Sequence, residues 1–219
     1  VNLKKYRLEF EIYEPRVSSY AGSGIRIDEK ARTSLKGLYA AGDTAGGLRR
    51  GAASAALTFG WIAGESSVHD TQDLERPTFT EDLVRQVEQR KNLYTKILSR
   101  KEGVQWQVAQ ITLQNIMNDY AYRRSETSLN AGLAKLRVVR RYCLENLKAQ
   151  NMHELMRCIE VLNLMDVAEM AMLSAKERKE TRDTHIRLDY PEEGGEEWRK
   201  FLVLRRVGEN VNFSFMKIE

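Results

Sequence analysis

Leu35-Lys36-Gly37-Leu38-Tyr39-Ala40-Ala41-Gly42-Asp43 is the stretch on which the fold turns. Lys36-Gly37 predicts a turn, and Leu38 to Ala41 a short apolar strand that ends on a glycine and a carboxylate. Upstream, Leu8 to Tyr13 (LEFEIY) alternates apolar and charged residues as a half-buried strand does. Gly24 to Asp28 predicts another strand, after the small-residue turn Ala21-Gly22-Ser23. Downstream, Ala52 to His69 (AASAALTFGWIAGESSVH) is mostly small or apolar, which predicts a helix buried on most sides.

The character of the chain changes after this helix. Asp70 to Thr80 (DTQDLERPTFT) is polar and carries a proline, marking a domain boundary, with one domain over 1–70 and a second over 80–219. Thr80 is placed to cap a helix. From there amphipathic periodicity predicts helices over 80–100, 104–123, 127–149 and 152–178, joined by short polar turns, hence a bundle of antiparallel neighbours. Pro191 to Glu197 (PEEGGEE) is a loop, and Lys200 to Arg206 with Val211 to Ile218 predict a hairpin turned at Gly208-Glu209-Asn210. The fold class expected is α+β.

Composition narrows the function classes. With 219 residues and 42% hydrophobic content the chain can bury one large core or two modest ones. No run reaches the roughly 18–20 apolar residues that span a bilayer. The start, Val1-Asn2-Leu3-Lys4-Lys5, lacks a signal-peptide core, so a cytoplasmic location is the default expectation. The net charge is +4, but 35 basic residues are interspersed with 31 acidic ones. The densest basic run, Lys135, Arg137, Arg140 and Arg141, sits on the solvated face of a helix, without the aromatic interleaving or module of a nucleic-acid binder. Cys143 and Cys158 have no metal-ligand spacing and are expected to pack as small apolar groups, so an iron–sulfur cluster held by this chain alone is not expected.

The chemistry concentrates around Asp43. A strand delivers the backbone, two alanines and Gly42 permit close approach, and Asp43 offers a carboxylate to hydroxyl groups such as those of the ribityl chain of FAD. The same residues also fit an ordinary strand-to-loop turn with an acidic cap. Glycines continue at 46 and 47 and lead through Arg49-Arg50-Gly51 into the small-residue helix. A helix start presents N–H groups without intrahelical partners and a partial positive charge, which fits the electron-rich edge of a flavin. Tight packing of Ala52 to Ala56 against a sheet explains the same composition.

At this point the chain resembles the flavoprotein family of fumarate reductase and succinate dehydrogenase, with L-aspartate oxidase and the flavin subunit of adenylylsulfate reductase. The resemblance is carried by Gly24-Ile25, by Arg32-Thr33-Ser34-Leu35-Lys36-Gly37-Leu38-Tyr39-Ala40-Ala41-Gly42-Asp43 and by Arg49-Arg50-Gly51-Ala52-Ala53-Ser54. It continues through Asn118-Asp119-Tyr120-Ala121-Tyr122-Arg123-Arg124, Leu129 and Gly132-Leu133-Ala134-Lys135-Leu136. Glu177 to His185 (ERKETRDTH), Asp189-Tyr190-Pro191 and Trp198-Arg199-Lys200 complete it.

That resemblance implies an FAD cofactor contacted by Gly42 and Asp43 and by Ala53, Ser54 and Ala55, with Arg49 as the arginine that clamps a substrate carboxylate. It also implies an FAD-binding-domain remnant followed by a helical bundle, with hydride or electron-pair transfer between flavin and a small, anionic substrate. The partners implied are the rest of the flavoprotein, namely its N-terminal FAD domain and capping domain, and an iron–sulfur electron-transfer subunit. His185, between Asp183 and Asp189, is read as an interface hydrogen-bonder, and His69 and His153 as surface residues.

Two departures bear on substrate. Where the dicarboxylate enzymes carry a substrate-binding histidine, this chain has approximately Tyr20, and its loop from Asp43 to Arg49 is shorter than theirs. The chain contains no Gly-x-Gly-x-x-Gly phosphate turn and begins with valine, so it is expected to be a fragment or half of a split enzyme. A non-catalytic helical interaction module is the alternative from another class.

Overall fold

The computed structural model describes residues 23–47, 52–72, 78–207 and 210–217. The strand expected at Leu8 to Tyr13, Tyr20, Arg49 and the hairpin residues Gly208 and Glu209 lie outside the described residues. The chain divides into two compact units, Val1–Leu74 and Glu75–Glu219.

In the first unit, the strand expected at Gly24 to Asp28 is reduced to a single parallel bridge between Ile25 and Ala45, with Ile25 N donating to Thr44 O and Gly46 N to Ile25 O, both at 2.8 Å. The Leu38 to Ala41 strand is likewise one antiparallel bridge, Arg32 to Tyr39. A strand exists only where a second backbone runs alongside, and the described residues provide one at these two points. Glycine is required at the first crossing: a Cβ on Gly24 would lie 2.6 Å from Thr44 O, and one on Gly46 2.9 Å from Gly24 O. Asp28 shapes the intervening loop by accepting from the N–H groups of Lys30 and Arg32, each at 2.9 Å.

Helix α1 spans Ala52–Thr71. Contrary to the expectation of burial on most sides, Leu57, Trp61 and Val68 are exposed, and Ser66 alone among its described residues is buried. Small, apolar side chains make the helix readily coverable; the described part of the unit covers little of it.

The second unit is the expected helical bundle, α2 (Glu81–Ser99), α3 (Trp106–Ala121), α4 (Glu126–Asn146) and α5 (Met152–Glu177). Each boundary has a local cause. Thr80 accepts from Leu83 N at 3.2 Å, and Glu81 and Asp82 favour the positive end of the helix dipole. Ser125 and Ser128 form a reciprocal capping box, and Asn151 caps α5 through Glu154 N at 2.9 Å. Helix α5 is central, inserting Leu155, Cys158, Val161, Leu162, Met165, Ala168, Met172 and Ala175 into the core between α3 and α4. Gly132 lets the three meet: a Cβ there would lie 2.6 Å from Tyr120 Cβ and 3.1 Å from Met172 Sδ.

The unit ends in an antiparallel hairpin of β1 (Lys200–Val207) and β2 (Asn210–Lys217), with Lys200 opposite Lys217 and Val207 opposite Asn210. Trp198, in a short 3₁₀ turn, packs edge-on against Phe215 at 5.7 Å between ring centres. Among the described residues no helix is long and apolar enough to cross a membrane.

Candidate functional site

The first candidate site is the turn Gly42–Thr44. Gly42 is buried with φ +64°, a left-handed conformation that favours glycine, and a Cβ on it would stand 3.1 Å from Ala56 Cβ. The turn therefore seats directly on the second turn of α1. Asp43, next along, is exposed, as are Ala53 and Ser54 in the first turn of α1, and Ala55 is half-buried. The structure thus brings the turn of Gly42 and Asp43 onto the helix that carries Ala53, Ser54 and Ala55. Arg49 lies outside the described residues.

The residues present could hold a flavin: an exposed carboxylate suits ribityl hydroxyls, and it stands on a turn seated by Gly42 against a helix whose Ala53 and Ser54 are small and exposed. Among the described residues no cluster of histidine, cysteine, aspartate or glutamate could hold a metal ion. Cys143 and Cys158 are buried free thiols, and burial pushes both up, Cys158 to about 11, which favours the neutral thiol over the reactive thiolate.

The second constellation is a charged knot after α5. Glu180 is buried, and its carboxylate accepts from Arg182 Nε at 3.1 Å, from Gly194 N at 2.9 Å and from Arg178. Burial pushes its pKa up, but these donors outweigh it and the net direction is down. Arg178 also stacks over the Trp198 ring at 5.8 Å, tying the knot to the hairpin entry.

His185 accepts at Nδ1 from Arg124 Nη1 at 2.6 Å and donates from Nε2 to Arg178 O at 3.0 Å. The arginine can only donate and the carbonyl only accept, so the ring is the neutral Nε2–H tautomer. Burial pushes His185 down to about 4, and Arg124, Arg187 and Arg178 act in the same direction, outweighing the carbonyl bond. It is therefore a structural hydrogen-bonder and not a base at neutral pH.

The sequence places Arg187 beside His185 but does not announce its capping role. Arg187 is buried, and its Nη1 donates to the carbonyls of Ala175 at 2.7 Å and of Lys176 and Arg178 at 3.0 Å, closing the C-terminus of α5 from ten residues downstream of its end. The available signal was Arg187-x-Asp189, an arginine and carboxylate that pair locally, set after a helix that lacks a glycine cap. A separate open groove of about 480 Å³ between α2 and α4, lined in part by Asn92, Lys96, Arg100 and Glu145, contains none of the expected site residues.

Residues 110–219 match the family described as fumarate reductase flavoprotein C-term. An uncharacterized FAD-dependent oxidoreductase of Methanocaldococcus jannaschii is 31% identical over 208 residues, covering 91% of this chain and 37% of that protein. One of the subunits of the fumarate reductase (CoM/CoB) of Methanothermobacter marburgensis is 30% identical over 197 residues, covering 84% and 34%. The structure of adenylylsulfate reductase from Archaeoglobus fulgidus superimposes with a TM-score of 0.76 at 27% identity, over 86% of this chain and 33% of that one. The chain thus spans little more than a third of the length of the curated relatives it matches.

Proposed function

The chain belongs to the fumarate reductase flavoprotein C-terminal family, and on that premise we propose that it is the C-terminal part of an FAD-dependent oxidoreductase. Residues 1–70 are then the end of its FAD-binding domain and 80–219 its helical domain with terminal hairpin. The relatives' assignment to FAD and to fumarate reductase supports this reading.

FAD, when bound, supplies the two-electron chemistry. What the chain contributes is holding and orientation. Asp43 accepts hydrogen bonds from ribityl hydroxyls, Gly42 permits close approach, and Ala53, Ser54 and Ala55 face the pyrimidine edge of the ring. Arg49 clamps a carboxylate of a small, anionic substrate, for which a guanidinium fork is matched in shape and charge. Because Tyr20 and the short loop after Asp43 depart from the dicarboxylate enzymes, fumarate or succinate is not assigned as that substrate. The methanogen relative is itself one of several subunits, which supports a complex with other chains; the partner proposed is an iron–sulfur electron carrier.

The observation that carries the reading is the seat of Gly42 on Ala56, which sets an exposed carboxylate beside a small-residue helix start. The test is FAD titration of the complete flavoprotein with and without Asp43→Ala. Loss of a charged acceptor worth about 1.5–3 kcal/mol weakens FAD binding roughly ten- to a hundredfold. Unchanged affinity removes Asp43 from the cofactor site.

A further inference from the structure

Asp70, in the last turn of α1, is met by two side chains from the loop that precedes the Gly42–Thr44 turn. Arg32 approaches as a fork, Nε at 2.6 Å from Oδ2 and Nη2 on Oδ1, and the Tyr39 hydroxyl donates to Oδ2 at 2.7 Å. Arg32 and Tyr39 are themselves the bridged pair of that loop, so one carboxylate on α1 holds both of its arms. The donors keep the carboxyl well below the usual carboxylate range, Arg32 first and Tyr39 second.

Three residues beyond Tyr39, Gly42 sits on Ala56. Asp70 and Ala56 are separated by about 21 Å along a helix rising 1.5 Å per residue. Three residues of backbone reach at most about 11 Å, so the long side chains of Tyr39 and Arg32 bridge the remainder to Asp70, and the segment is pinned by this polar tether at one end and by the Gly42–Ala56 contact at the other. Between the pins stand only Ala40 and Ala41, whose side chains are too short to fix the register alone. The bonds of Ile25 to Thr44 and Gly46 hold the Gly42–Asp43 turn to its own loop and not to the helix, so a loose far end lets loop and turn shift together on α1.

We propose that Asp70 is a positioning residue: through Arg32 and Tyr39 it sets where the Gly42–Asp43 turn, and with it the Asp43 carboxylate, sits on α1. Its consequence for FAD rests on the function proposed above; the placement of the turn does not.

The test has two arms. In the chain itself, amide exchange is read at Ala40, Ala45 and Gly46, whose N–H groups bond to the carbonyls of Ala31, Gly42 and Ile25. Asp70→Ala accelerates exchange there about fivefold or more while amides of α4 keep wild-type rates, and Asp70→Glu restores most of the protection. Unchanged exchange in Asp70→Ala overturns the proposal. If Asp70→Ala fails to fold, Tyr39→Phe, which removes only one donor, gives a smaller change at the same amides; none in that variant overturns it equally.

In the complete flavoprotein, Asp70→Ala weakens FAD binding about tenfold and Asp70→Glu recovers it to within about threefold. Wild-type affinity in Asp70→Ala beside a loss in Asp43→Ala overturns the link to the cofactor. Wild-type affinity in both shows instead that the flavin reading of the turn has failed, and the exchange arm then decides the placement by itself.

Discussion

Arg187 grips Asp189 with both arms of its fork, Nε on Oδ1 at 2.7 Å and Nη2 on Oδ2 at 2.8 Å, and Asp189 in turn accepts from Glu126 N at 2.8 Å. One ion pair thus joins the end of α5, which Arg187 caps, to the first turn of α4. Neither helix end has a strong local signal for this contact. The tertiary pair supplies what a glycine cap supplies elsewhere.

Arg187→Met should therefore destabilise the chain by about 3 kcal/mol, since removing one partner of a buried pair strands the other groups. Three carbonyls at the end of α5 lose their donor, while Asp189 regains some water because its side chain is 29% exposed. Arg187→Lys should recover little, because an ammonium lacks the fork. Urea unfolding followed by circular dichroism measures both, and a loss below about 1 kcal/mol for Arg187→Met contradicts the capping role.

Stability should fall in two stages as the solution is acidified. His185 has a folded pKa near 4 against about 6.5 unfolded, so between those values the unfolded chain binds more protons. Its contribution is complete above pH 6.5 and is lost as pH falls to about 4, by at most about 3 kcal/mol and less after allowance for its partial exposure. Asp189 and Glu180, whose pKa values are lowered, contribute fully above the ordinary carboxylate range and lose that contribution as pH falls through it toward their folded values. Denaturant midpoints from pH 2 to 8 in wild type and His185→Gln separate the stages: the variant should lose most of the slope between about 4.5 and 6.5 and keep the one at lower pH.

Gly132→Ala should destabilise despite alanine's better helix propensity. The gain of about 1 kcal/mol is outweighed by overpacking of about 1–3 kcal/mol, because the new methyl stands 2.6 Å from Tyr120 Cβ, which no rotamer change can move. Met172→Ala should not rescue it, since the tighter clash is with a Cβ fixed to the backbone of α3. A melting temperature at or above wild type in Gly132→Ala would show that α3 and α4 separate freely.

What could be read from the sequence is what local chemistry decides. Thr80 marks a helix start because its side chain satisfies an N–H group just beyond it, and Ser125 and Asn151, not singled out in the sequence, do the same for α4 and α5. The hairpin ladder extends from Lys200 to Val207 because turn residues interrupt two β-rich runs. The strands expected around Ile25 and Tyr39 shrank to bridges, and the burial expected of α1 is missing at Leu57 and Trp61, because both depend on neighbours that apolar composition does not specify. Of the candidate site, Gly42 and Asp43 were legible as a glycine–carboxylate turn. The Asp70 tether was not, since an aspartate 31 residues from its tyrosine has no periodicity to announce it.

Arg49→Ala in the complete flavoprotein should separate substrate binding from cofactor binding. If its guanidinium clamps a substrate carboxylate, its loss leaves flavin content near normal while kcat/KM falls by about a hundredfold or more, because a positioned ion pair contributes both affinity and orientation. Arg49→Lys should recover only part of this, the point charge without the fork. The pattern opposes that of Asp43→Ala, where flavin content falls and turnover per bound flavin changes less. Flavin-to-protein ratios and steady-state kinetics on the three variants, with an anionic substrate of the relatives as probe, give the answer. Equal loss of flavin in Arg49→Ala and Asp43→Ala would make Arg49 a cofactor or structural residue, and would move the substrate clamp elsewhere in the protein.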